Sequence, residues 1–257
     1  MYFKKIVIMV ASLALLGSMS IAVAQDEEKN DGLARVVLIT AKDGHAKALE
    51  EAIVKYHHFM GKKEGAMRYT WYSIETGKDT GKYIARSGNH NWADFDAKHD
   101  WEAEAGAKFA SLVQPHIASA IVTITQNDDT LGIWPDSLEG YEYFSVSSWR
   151  INPGHYAAFS EGLKKIDAAL KEGDFPGYYS FIDTVSGGDG NSISLVSPRK
   201  NYADMAPKKP TFMEIMAKAM GEEETKAFMA EWGATYTSGE NMLLRVMAEQ
   251  SDYGDAK

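Results

Sequence analysis

Residues 34–41 (ARVVLITA) are almost continuously aliphatic and β-branched, the composition of a largely buried strand. After Asp43-Gly44 the spacing changes, and Leu49, Ile53, Tyr56 and Met60 recur every three to four residues as one face of an amphipathic helix. Strand character returns over residues 67–75 and 82–87 on either side of the loop TGKDTG, which predicts a hairpin. A second helix is predicted from Asn91, whose side chain suits the free amides of a first turn, and residues 118–125 supply a fourth strand. The predicted order is strand, helix, strand, strand, helix, strand.

The same pattern recurs 110 residues later without a gap, residues 36–96 matching 146–206. Gly44-His45 pairs with Gly154-His155, Tyr69 with Tyr179, Ser87 with Ser197, Asn91 with Asn201, and Ala93-Asp94 with Ala203-Asp204. Phe159, Leu163, Ile166 and Leu170 repeat the first helical stripe. The match ends at Ala206-Pro207-Lys208-Lys209-Pro210, where two prolines break the second helix before it resumes over residues 211–232; residues 242–248 are the last strand. The fold class expected is α+β, built from two tandem ferredoxin-like βαββαβ units over residues 34–127 and 141–250, with a linker at 128–140 and a tail at 251–257.

The N-terminal 24 residues read as an export signal: Lys4 and Lys5, an apolar run from Ile6 to Leu16, and the small-residue pattern Ala22-Val23-Ala24. Cleavage after Ala24 leaves a solvated leader at 25–33 and predicts a periplasmic or secreted protein with no membrane attachment. The whole chain carries 27 Lys and Arg against 36 Asp and Glu, a formal charge of -9, and losing Lys4 and Lys5 makes it more acidic still. An acidic surface argues against nucleic acid as a partner, because phosphate binding needs clustered cations. Cysteine is absent, which removes disulfides, thiol nucleophiles and thiolate metal sites. No H-E-x-x-H, nucleophile-elbow or phosphate-loop motif occurs, so no metal site is expected.

Aromatic residues supply the candidate binding positions. Tyr69 and Trp71 alternate on the second strand of the first unit, as do Tyr179 and Phe181 in the second, and each pair points to one sheet face. Tyr143, Ser145, Ser147 and Trp149 share a face of the first strand of the second unit, where the serines suit a border with water or a polar ligand. These aromatics fill a core or wall a pocket for a flat apolar molecule. Arg86 and Arg150 are candidates for anion contact, or are exposed or paired. In the second predicted helix, Phe95, His99, Gly106, Phe109 and Val113 fall on one face. His99 is then a hydrogen-bonded core histidine, a haem-iron ligand or a general base.

The Gly-His pair opening each first helix and the segments Trp92-Ala93-Asp94-Phe95 and Tyr202-Ala203-Asp204-Met205 resemble the dimeric α+β barrel superfamily. That group includes antibiotic-biosynthesis monooxygenase-like, NIPSNAP-like and stress-responsive barrel proteins. The resemblance implies two units pairing through their sheets into one pseudo-dimeric barrel, with ligand held between a sheet and its two helices; further homo-oligomerisation stays open. Haem-degrading branches use an Asn on the first strand with a Trp and a His on the second helix. Trp92 with His99, or with His116, resembles the helix-borne pair, but residues 35–40 contain no Asn, which disfavours haem degradation. Export, the barrel-type fold and aromatics without an evident reactive pair together lead to the expectation of an exported protein binding a small apolar or aromatic ligand at Tyr69, Trp71, Trp92, His99, Tyr143, Trp149, Tyr179 and Phe181, without a cofactor. The alternative is a cofactor-independent monooxygenase with His99 as base and Trp92 or Tyr69 as wall. Haem binding and a structural or partner-binding platform are lesser alternatives.

Overall fold

The computed structural model describes residues 31–188 and 190–251, with Ser238 described by its backbone alone. The predicted export signal and the tail beyond Ser251 lie outside the described residues, as does Asp189 of the second hairpin loop. The first half comprises β1 (Leu33–Ala41), α1 (Ala46–Met60), β2 (Thr70–Thr76), β3 (Tyr83–His90), α2 (Glu102–Leu112) and β4 (Ile117–Asn127). The second comprises β5 (Tyr143–Ile151), α3 (Tyr156–Glu172), β6 (Ser180–Ser186), β7 (Ser192–Arg199), α4 (Phe212–Met220), α5 (Glu222–Gly233) and β8 (Tyr236–Val246). All strand pairs are antiparallel and close into one barrel in the order β1-β3-β2-β8-β5-β7-β6-β4. The halves meet at two seams, β2 with β8 and β4 with β6. The fold of the described residues is therefore mixed α+β, an eight-stranded antiparallel barrel carrying five α-helices.

Alternation along each strand divides the side chains between an outer layer under the helices and the barrel lumen. In the first half, Leu49, Ala52 and Ile53 of α1 are buried against Val37, Ile39, Trp71, Tyr83 and Ala85. In the second, Phe159, Leu163, Ile166 and Leu170 of α3 are buried with Ile151, Phe181 and Ile193 of the sheet, and Met216 and Trp232 close that layer. Each large apolar side chain fully removed from water contributes about 1.5–3 kcal/mol. A third cluster, centred on Ile74, Phe144 and Leu244, lies inside the barrel.

Two helices differ from expectation. The chain does not enter a helix at Asn91 and continue: Trp92–Phe95 is a single 3-10 turn, and α2 starts at Glu102. Asn91 donates its backbone N–H to Asp94 Oδ2 at 2.8 Å, which closes the short turn on itself. Asn201 caps the corresponding turn, its side chain accepting from Asp204 N at 3.1 Å. The single helix expected over 211–232 is two, because Gly221 has φ 88 and ends α4 in a conformation only glycine adopts freely. Thr211 and Glu214 form a capping box that starts α4 directly after the proline-containing break.

Candidate functional site

A cavity of about 560 Å³ lies between the sheet of the second half and its helices. Trp149, Phe181 and Leu195 form its floor, Leu163 and Ile166 of α3 one side, and Met229 and Trp232 of α5 another. The segment leading into α4 covers it, with Met205, Pro207 and Phe212 turned to the cavity and Met213, 45% exposed, at its rim. The double-proline break has a structural consequence here, since an uninterrupted helix would leave no such covering segment. Trp232 is fixed by an Nε1–H bond to the Phe159 carbonyl at 3.1 Å and by stacking on the Phe159 ring with centroids 5.1 Å apart.

The polar groups of this cavity are few. Ser197 is buried, while Arg199 donates to Ser145 Oγ at 3.5 Å and to the Asp204 carbonyl at 3.4 Å. Lys208 pairs with the Asp204 carboxylate, which also accepts from Lys200 N at 3.1 Å. Burial acts to raise the Asp204 pKa, but the Lys208 bond, the Lys200 amide and the nearby Arg199 charge outweigh it and hold the carboxyl below its ordinary value. Tyr179 donates its hydroxyl to Asp167 Oδ1 at 2.9 Å, and Asp167 also accepts from Gly132 N at 2.8 Å and pairs with Lys171 at 2.8 Å. Burial first, then the bond and charge of Asp167, push the Tyr179 phenol well above its ordinary pKa. Its hydroxyl is committed to structure, and its ring faces the cavity.

Of the eight candidate binding residues, three come together on this cavity: Trp149, Tyr179 and Phe181. Tyr143 faces the same outer layer but is buried against Tyr202, centroids 5.1 Å apart, away from the cavity wall. The first-half residues lie elsewhere. Trp71 is buried under α1, its Nε1–H 3.3 Å from His57 Nε2. Tyr69 precedes β2 and accepts from the Arg35 guanidinium at 2.6 Å. Trp92 sits in the 3-10 turn and is 51% exposed. His99 corrects the expectation of a helical inner face: it is in the loop before α2, stacked on Trp101 with centroids 4.7 Å apart and planes 9° from parallel. The helical spacing that placed it beside Phe109 presumed a helix running on from Asn91.

One arrangement escaped sequence reading. His90 Nε2 is 2.7 Å from Ser87 Oγ, and its Nδ1 is 3.6 Å from Asp94 Oδ2. Desolvation lowers the His90 pKa against the opposing pull of Asp94. The order resembles a hydrolytic triad, but Ser87 is only 2% exposed and does not line the cavity described above, so its hydroxyl lacks substrate access. The Ser87–Asp94 spacing was the available signal. Among the described residues no cluster of three His, Asp or Glu side chains suits a metal ion, and no helix is long and apolar enough to cross a membrane.

No protein-family model matches the chain, and no curated protein sequence does. Solved structures do match. An anthrone oxidase-like protein superposes with a TM-score of 0.53 at 13% identity, covering 85% of this chain and 92% of its own. A candidate monooxygenase from Lactobacillus acidophilus NCFM gives 0.52 at 11% identity, over 84% and 94%. The chain shares their fold. A mutant chlorite dismutase from Candidatus Nitrospira defluvii, in complex with cyanide, gives 0.50 at 10% identity, over 86% and 92%. At these identities the likeness is one of α+β barrel architecture.

Proposed function

We propose that this α+β barrel is a small-molecule binding protein whose pocket is the helix-side cavity of the second half, and that it works outside the cytoplasm after export through residues 1–24. The observation carrying this reading is the cavity: about 560 Å³, walled by Trp149, Tyr179 and Phe181 together with further aromatic, aliphatic and methionine side chains. Ligand pockets run from roughly 300 to 1,000 Å³ and combine apolar walls with a few polar groups. Its shape and lining suit a flat, mainly apolar molecule, with Arg199 and Lys208 available to a ring carbonyl or phenolate. No carboxylate or imidazole side chain lines it, so a positioned general base is missing and binding ranks ahead of turnover.

Cofactor-independent oxygenation is the second reading, favoured by the anthrone oxidase-like neighbour. In that chemistry an anthrone methylene and one O₂ give a quinone carbonyl and one water. The substrate would have to ionise without an enzyme base, with Lys208 and Arg199 stabilising the enolate charge. Haem does not fit the cavity by imidazole ligation: no histidine lines it, and the chain has no cysteine for thiolate ligation.

The test is titration with 1,8-dihydroxyanthraquinone, followed by quenching of tryptophan fluorescence. Ala206 lies exposed at the cavity's cover, so Ala206→Trp closes the mouth without disturbing the core. Saturable quenching in the wild type, weakened at least about tenfold in Ala206→Trp at unchanged melting temperature, supports the pocket. Absence of saturable binding sinks both readings. Oxygen uptake on 1,8-dihydroxyanthrone above the uncatalysed rate, lost in Ala206→Trp, would place turnover first.

A further inference from the structure

The barrel interior holds a second and larger cavity, of about 670 Å³, whose opposite walls differ in chemistry. On one wall the strand register places Arg86 beside Val36 and Val36 beside Thr123. At the corresponding register in the second half, Val196 pairs with Val146 and Val146 with Met242. A wall carrying a cation thus faces one that is uncharged and apolar at its centre, where Phe144 and Leu244 add to the valines, with Ser148 and Ser194 also on that side.

Arg86 is the unusual member. Among the described residues its one side-chain hydrogen bond is a long one, from a guanidinium N–H to Asn127 Oδ1 at 3.3 Å, and it makes no ion pair. Space for it comes from Gly88, where a Cβ would lie 2.4 Å from an Arg86 guanidinium nitrogen. Nearby on the same wall, Thr125 Oγ1 has no hydrogen-bond partner. Two carboxylates line the cavity, Asp128 and Asp129, both in the connection after β4. Asp128 is occupied by the amide and hydroxyl of Thr130, at 2.9 and 2.6 Å, and Asp129 is exposed. Burial lowers the Arg86 pKa, partly offset by Tyr72, yet guanidinium remains charged at neutral pH. Arg86 is partly buried and lines the open lumen, so its spare donors are placed to meet an anion there.

We propose that the lumen is a separate binding site for an amphipathic anion, its carboxylate or similar oxyanion head on Arg86 and Asn127 and its apolar body along Phe144, Val146 and Val196. Guanidinium binds such a head in a planar, two-pronged geometry, and the facing wall carries no second charge: its polar groups are hydroxyls, of which Ser148 and Ser194 bond each other at 2.8 Å. The two cavities share one lining residue, Tyr179, and none of the residues assigned to the anion lines the helix-side pocket.

Isothermal titration with sodium octanoate, and with 1-octanol as its uncharged counterpart, tests it on the full exported chain. Wild type is expected to bind octanoate saturably and at least about tenfold tighter than octanol, the scale of a charge-assisted hydrogen bond. Arg86→Met should abolish that preference while retaining octanol binding. Val196→Phe leaves Arg86 in place and narrows the lumen from the far wall, so binding of both probes should weaken at unchanged melting temperature. Ala206→Trp, which closes the other cavity, should change nothing. The proposal is overturned if wild type binds no octanoate, if Arg86→Met binds it as wild type does, if Val196→Phe leaves the affinity of both probes unchanged, or if Ala206→Trp eliminates octanoate binding.

Discussion

The same substitution, glycine to alanine within a helix, is expected to have opposite effects at two positions. Gly162 lies in α3 beneath Trp232, and an added Cβ would come 2.1 Å from Trp232 Cδ1 and 2.6 Å from Nε1. Ordinary contact begins near 3.4 Å, so the indole must retreat by more than 1 Å. Retreat breaks the Nε1–H bond to Phe159 O and the stack on the Phe159 ring. Overpacking costs about 1–3 kcal/mol and the lost hydrogen bond about 0.5–1.5, against a gain of about 1 from helix propensity. The net expectation for Gly162→Ala is a loss of about 1–3 kcal/mol. Gly106, in α2, has nothing within 4 Å of its would-be Cβ, so Gly106→Ala should gain about 0.5–1 kcal/mol. Urea unfolding followed by tryptophan fluorescence reads both. With a slope of about 2 kcal/mol per molar, the Gly162→Ala midpoint should fall by about 0.5–1.5 M and the Gly106→Ala midpoint should rise. A Gly162→Ala midpoint at or above wild type would refute the reasoning, for it would mean that Trp232 does not rest on that glycine.

Two further outcomes concern buried polar groups. Tyr179→Phe removes a hydroxyl bonded to Asp167 but leaves Asp167 its contacts to Gly132 and Lys171, so a loss of about 1.5–3 kcal/mol is expected in urea unfolding, and no loss would show that bond to be energetically idle. His90 has a lowered pKa in the folded chain, so below about pH 6.5 the unfolded chain takes up its proton first and stability falls with acidification until the folded-state value is passed. His90→Gln should show a smaller drop in urea midpoint between pH 7.5 and 5 than wild type; an equal or larger drop would contradict that direction.

The outer layer was legible because its signal is local. Period-two alternation put Trp149 on one face of β5 and Tyr179 with Phe181 on one face beginning just before β6, and the α3 stripe put Phe159 through Leu170 over them. His99 was misread for a reason equally local: helical spacing was extended across residues 96–101, where the Asn91–Asp94 turn had already ended. The lumen was not legible at all. Arg86 was recognisable as a candidate for anion contact, but its facing wall comes from β5, β7 and β8, and closure depends on the β2–β8 and β4–β6 seams. Pairings between residues as distant as Tyr72 and Val246 leave no periodic trace along the chain.

Joining both halves of the barrel in one polypeptide also changes what a single codon can do. Were the barrel assembled from two identical chains, every inward residue would be issued twice, related by the two-fold axis. An arginine at the position of Arg86 would then meet a second arginine where Val196 now stands, and the enclosed space would carry two like charges. Here the mutation lands once. One side can keep a cation while the other stays greasy, a polarity across the interior that strict two-fold symmetry forbids.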